Sequence, residues 1–132
     1  MPVQTPYFPK NNDLGSIATL AAASANGTSS QLNSGQTKGI KVVVAITAIT
    51  GTSPTLTVTI EGYDKASNAY YPLLTSAALN ATGSTELTVY PGVTATSNVS
   101  ASDHLPEFWR VSYAIGGTTP AVTATIGACL LV

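Results

Sequence analysis

The chain has 132 residues, enough for one domain with a real core. Only 8% of them are charged, against about 25% in an ordinary soluble domain, and the formal net charge is -1. Lys10, Lys38, Lys41, Lys65 and Arg110 are scattered, so the basic stripe of a nucleic-acid binder is missing, and few titratable groups are available for an active site.

Residues 1–16 read as an extended arm. Pro2, Pro6 and Pro9 remove backbone donors and favour extended shape, and Tyr7 and Phe8 between them are apolar payload that a free tail does not need. Docking of this arm on a partner through Pro2, Pro6, Tyr7, Phe8 and Pro9 is weighed against a frayed terminus. Residues 17–132 form the folded domain. Ile17 to Ser24 is a weak strand or a short helix, because Ala favours helix but eight uncapped residues hold one poorly. Asn26 to Gly39 mixes Gly, Ser, Asn and Thr and reads as a loop.

From Gly39 the chemistry is that of β-strands. Ile40 to Thr50 is rich in β-branched residues, Gly51-Thr52-Ser53-Pro54 carries turn residues, and Thr55 to Glu61 alternates cleanly. Together they predict a hairpin. Gly62 to Asn68 is a turn, and Ala69 to Thr75 is a strand whose Pro72 requires an edge or a bulge. Thr85 to Tyr90 is a further strand. Val93 to Pro106 is a long polar connection of the kind that crosses between sheets. Phe108 to Ile115 alternates, Gly116-Gly117 with Thr118-Thr119-Pro120 turns the chain, and Ala121 to Val132 closes it with a bulge at Gly127. No internal repeat of fixed period is apparent.

About seven or eight strands with Gly/Pro turns predict an all-β protein, a single antiparallel β-sandwich of jelly-roll or immunoglobulin-like topology. Its core is expected from Val42, Val44, Leu56, Val58, Ile60, Leu87, Val89, Trp109, Val111, Tyr113, Val122 and Ile126.

Constellations that could carry chemistry are sparse. His104, the one histidine, follows Asp103, but no G-x-S-x-G elbow accompanies them. One His and one Cys do not make a zinc site. Glu61, Asp64 and Asn68 flank a turn but lack the acidic density of a calcium loop. Asp103 and Glu107 flank Trp109, yet a Trp in an alternating strand belongs to the core. Gly116-Gly117 precedes no helix and cannot cradle phosphate. Cys129 excludes an internal disulfide and reads as a small buried hydrophobe. The sequons at Asn26, Asn80 and Asn98 read as turns. No enzyme, metal or cofactor is expected.

A low net charge lets identical copies lie close together, which suits an assembly protein, although a low-charge extracellular domain has the same composition. The segments Val42-Val43-Val44, Gly51 to Val58, Tyr71 to Thr75, Val89-Tyr90-Pro91-Gly92 and Leu105 to Val111 resemble small β-sandwich proteins encoded among the virion structural genes of tailed bacteriophages, often head decoration (cement) proteins. The resemblance spans Ile40 to Val132 and leaves residues 1–38 outside it. It implies a β-sandwich in a virion and no catalytic site.

The chain is therefore expected to be a capsid decoration protein that binds and stabilises the major capsid shell. Alternatives are a tail or head–tail connector subunit, or a carbohydrate-binding module using Trp109 or the Tyr70–Tyr71 pair. Expected partners are the major capsid protein, other virion proteins and further copies of the chain, with trimer and monomer both open, and neither nucleic acid nor membrane. The start of the chain shows no basic n-region or apolar h-region, and no run reaches the roughly 18 apolar residues of a membrane span, so synthesis in a host cytoplasm is expected before assembly into the virion.

Overall fold

The computed structural model describes residues 11–132. The arm residues Pro2, Pro6, Tyr7, Phe8 and Pro9 lie outside them. The described chain is all-β, and its strands are β1 (Asn12–Ala23), β2 (Gly27–Thr28), β3 (Leu32–Asn33), β4 (Gly39–Asp64), β5 (Ala69–Thr75), β6 (Gly83–Val89), β7 (Ser100–Ala101) and β8 (Phe108–Leu131). All join one sheet in the order β1-β8-β4-β6-β7, with β2 and β3 on β8 and β5 on β4. Every pairing is antiparallel except that of β6 with β7.

The centre is one long ladder between β4 and β8, running from Gly39 opposite Leu131 to Gly62 opposite Trp109. The hairpin expected at Gly51-Thr52-Ser53-Pro54 is not formed, and neither is the reversal expected at Gly116 to Pro120. At both places the chain continues, and the ladder shifts register between Thr50 and Thr52 and again between Thr52 and Thr55. The positive φ angles of Gly51 (121°), Ser53 (48°), Gly117 (106°) and Thr119 (45°) absorb the extra residues as paired bulges. The two strands therefore kink together and keep their hydrogen bonds.

The kink divides the sheet into two layers. The first holds β1, residues 39–50, residues 121–131, β6 and β7. The second holds β2, β3, residues 55–64, residues 108–116 and β5. Ile40, Val42 and Val44 from the first layer and Leu56, Val58 and Ile60 from the second are all fully buried in one cluster. No helix is present among the described residues to cover either layer, and both contribute side chains to the one core cluster. This folded-over sheet is compatible with the expected sandwich. Val42, Val44, Leu56, Val58, Ile60, Leu87, Val89, Trp109, Val111, Val122 and Ile126 lie in the core, whereas Tyr113 packs against it half-buried. Core side chains of this size each contribute about 1.5–3 kcal/mol by burial.

Around the Thr52–Thr118 pair the two strands repeat each other in sequence and register as a local pseudo-twofold, contrary to the expectation of no internal repeat. Residues 48–60 align with 114–126 at one constant interval, with identity at Ala48/Ala114, Ile49/Ile115, Gly51/Gly117, Thr52/Thr118, Pro54/Pro120, Thr57/Thr123, Thr59/Thr125 and Ile60/Ile126. The contacts are reciprocal. A Cβ on Gly51 would lie 2.8 Å from the Thr119 carbonyl oxygen, and one on Gly117 would lie 2.7 Å from that of Ser53. The flanking strands follow the same symmetry. β1 skips Ile17 between Ser16 and Ala18, and β5 skips Leu73 between Pro72 and Leu74, at matching points of their ladders.

Other local expectations change as well. Of the stretch Ile17 to Ser24, Ile17 to Ala23 is strand rather than helix, because β8 supplies a partner for its backbone along Asn12 to Ala23. That strand begins inside the segment read as an arm. The bulge expected at Gly127 lies across from it, on β1, since Val43 and Gly127 pair in unbroken register. The polar stretches 26–39 and 93–106 contain the short strands β2, β3 and β7. Pro72 sits in an edge strand beside a register shift, where its missing N–H costs no ladder bond.

Candidate functional surface

With the inward faces consumed by the core, chemistry is confined to the outward faces. On the second layer, alternation along β4, β5 and β8 brings Glu61, Tyr63, Tyr70, Phe108 and Arg110 together. Arg110 Nε donates to Glu61 Oε1 at 2.8 Å, with side-chain exposures of 28% and 17%, so this pair is partly shielded from water. The Arg110 guanidinium lies 3.7 Å from the centroid of the Tyr70 ring, whose hydroxyl accepts from Gln31 Nε2 at 2.9 Å. Tyr63 packs against Tyr70 at 4.9 Å and edge-on to Phe108 at 6.5 Å between centroids. Lys65 lies 5.0 Å from the Phe108 ring centroid and 3.4 Å from Glu107 Oε2. The cluster is electrically balanced, and its aromatic faces are partly covered by their own cations.

Beside this cluster the same face opens into a trough of about 410 Å³, lined by Asn26, Gly27, Thr28, Thr57, Thr59, Ser112, Tyr113 and Ala114. On the first layer a smaller hollow of about 240 Å³ lies over Asp13, Gly15, Lys41, Val43 and Gly127 to Cys129.

The residues singled out in the sequence do not converge. Asp103 and His104 are a neighbouring pair, 3.4 Å apart, and the His104 side chain is 77% exposed. Glu61 is held by Arg110, and Asp64 closes its own turn. Asp64 accepts from the Ser67 hydroxyl at 2.7 Å and from the Ala66 and Ser67 amides. The Ser67 hydroxyl first, and then these amides, hold the Asp64 carboxyl below its ordinary pKa. Asn68, at φ 60°, accepts from the Tyr63 hydroxyl. No group of three or more His, Cys, Asp or Glu side chains fit for a metal occurs among the described residues. Asn26 and Asn98 serve as loop residues: Asn26 Oδ1 accepts from the Ile115 amide, and Asn98 Nδ2 donates to the Thr75 carbonyl.

Several side chains lie elsewhere than the sequence suggests. Trp109 is fully buried, and its indole N–H has no partner among the described residues, so it presents no ring to a ligand. Tyr70 and Tyr71 point to opposite faces: Tyr70 stacks under Arg110, whereas the Tyr71 ring lies over the buried backbone of Gly62. They cannot form one platform. Cys129 is not a core hydrophobe. It is half-buried on the outward face, because Ala128 and Leu130 take the inward positions of β8, and Lys41 lies opposite it. Sequence reasoning missed the Glu61–Arg110 pairing and the trough, since both depend on β4 lying beside the start of β8. The one available signal was the alternation that put Arg110 and Glu61 on polar faces. Comparison with protein-family models, with curated proteins and with solved structures returned no match.

Proposed function

We propose that this chain is a non-enzymatic virion structural protein that decorates a capsid shell through its sheet faces. The observation that carries this reading is the way the few charges are disposed. Lys41 pairs with Glu86, Lys65 with Glu107 and Arg110 with Glu61, which leaves broad faces of Thr, Ser, Ala and Gly between them. Such faces can lie against protein while burying little unpaired charge, the costliest step in forming an interface.

The edges support association through faces rather than by strand addition. β1 is interrupted by three register shifts, β5 carries Pro72, and β6 is flanked by β7. These features blunt open-ended pairing between copies. The segments from Val42 to Val111 that resemble phage decoration proteins belong to this frame, and avidity across many copies would supply affinity without a deep pocket. The major capsid protein is the proposed partner.

Quantitative mass spectrometry of purified particles tests the reading by copy number. A count matching a full icosahedral shell supports decoration. A count matching a single ring or a tail tube moves the chain to a connector or tail position. Absence from the particle overturns the virion reading.

A further inference from the structure

We infer that the hydroxyl-lined trough on the second layer is a binding site for a neutral saccharide. This goes beyond the virion reading and does not depend on it.

The chemistry of the lining selects the ligand class. Most of the lining is apolar, from Tyr113, Ala114 and the threonine methyls, and Thr28, Thr57, Thr59 and Ser112 add hydroxyls and Asn26 an amide. Each hydroxyl both donates and accepts, which matches the hydroxyls of a sugar ring, while methyl groups meet its C–H faces. Thr59 Oγ1 shares a hydrogen bond with Thr75 Oγ1 at 3.2 Å, and Asn26 Oδ1 accepts from the Ile115 amide. The hydroxyls of Thr28, Thr57 and Ser112 take no partner among the described residues. Among the described residues no carboxylate, ammonium or guanidinium lines the trough, so neither a phosphate nor a cationic group is favoured. Its volume falls within the about 300–1,000 Å³ typical of small-molecule sites.

The location also argues against a peptide. The β8 backbone under the trough is paired on both sides, Ala114 and Ser112 with Thr57 and Thr59 of β4, and Tyr113 and Ser112 with Gly27 and Thr28 of β2. An extended peptide gains affinity mainly by adding main-chain bonds at a sheet edge, and this floor is a face. Farther along the same face, about 7 Å from Thr59 and Ser112 at strand spacing, the Glu61–Arg110 pair lies outside the trough. The hollow on the first layer, by contrast, takes charged Asp13 and Lys41 into its lining.

Titration of the full-length, isotope-labelled protein with soluble gluco-, chito-, galacto- and manno-oligosaccharides, followed by amide chemical shifts, tests the inference. Saturable shifts confined to Gly27, Thr57, Thr59 and Ser112 with at least one of these are expected. Thr57→Val combined with Ser112→Ala should weaken that binding about tenfold, the loss of two neutral hydrogen bonds. Thr123→Val, at the twofold-related position of the first layer, should leave it unchanged. Ala114→Phe fills the trough from an exposed position and should abolish binding, so the question remains decidable if the double variant folds poorly. Absence of shifts with every sugar at millimolar concentration, shifts elsewhere on the surface, or undiminished binding by folded variants would overturn it.

Discussion

The two arms of the central ladder share a backbone and differ in what they show to solvent. Around the kink, residues 48–60 and 114–126 are nearly interchangeable. Beyond it, Glu61 has Gly127 as its twofold counterpart and Tyr63 has Cys129, and across the register shift between Ile46 and Ala48 Arg110 has Val43 and Phe108 has Lys41. Close to the kink the arms agree where positive φ leaves little choice, at Gly51 and Gly117, and also at outward Thr57/Thr123 and Thr59/Thr125, whereas inward Leu56/Val122 and Val58/Ala124 stay apolar but differ in size. Farther from the kink the outward faces diverge: one layer carries the partly shielded Glu61–Arg110 pair and three aromatic rings, while the other carries the exposed Lys41–Glu86 pair, Asp13 and small residues. The shared kink therefore fixes the strand paths, and the surfaces of the two arms diverge beyond Thr59 and Thr125.

The largest effects should come from breaking what the arms share. Gly117→Val and Gly51→Val each force a Cβ against a carbonyl oxygen at positive φ, and each should destabilise by about 3 kcal/mol or more, or prevent folding. Chemical denaturation should give similar losses for the two, and a large difference would break the twofold equivalence. Gly15→Ala is the control. It also sits at positive φ (68°) but meets no atom within 4 Å, so its cost should be about 1–2 kcal/mol.

Core truncation sharpens the same comparison. Ile60→Val and Ile126→Val remove one methylene each from fully buried equivalent positions and should each cost about 0.5–1.5 kcal/mol in urea unfolding. Unequal values would locate the better-packed layer.

The third test addresses the asymmetry. Arg110→Ala strands a half-buried Glu61 and removes the guanidinium from the Tyr70 ring, whereas Lys41→Ala breaks only an exposed pair with Glu86. Thermal and denaturant unfolding should show a loss of about 1–2 kcal/mol for the first, reduced from the value for a fully buried pair by its remaining exposure, and below about 1 kcal/mol for the second.

The smallest effect is at the Asp64 turn. Its carboxylate is favoured in the folded state, so the stability it contributes is present above the unfolded pKa and is lost as pH falls through the lowered folded value. A carboxyl NMR titration should place Asp64 below an ordinary aspartate, and Ser67→Ala, which removes the largest cause, should raise it toward the ordinary value.

The alternation of Leu56, Val58 and Ile60, of Val122 with Ile126, and of Trp109 with Val111 by itself determined the β class and much of the core, because side-chain direction in a strand depends only on parity. Pro72 likewise announced an edge through its missing donor. Gly51-Thr52-Ser53-Pro54 and Gly117-Thr118-Thr119-Pro120 were equally visible, yet their chemistry does not distinguish a reversal from a kink. Both demand positive φ and tolerate proline. What decided between them was a second strand, distant in sequence, carrying the same bend at the same height, so that each bulge fits the other and the ladder continues. The Glu61–Arg110 pair and the trough depend on that pairing for the same reason. Local residues set the direction and flexibility of each strand, but the neighbour that lies beside it is chosen only by how the whole sheet folds over.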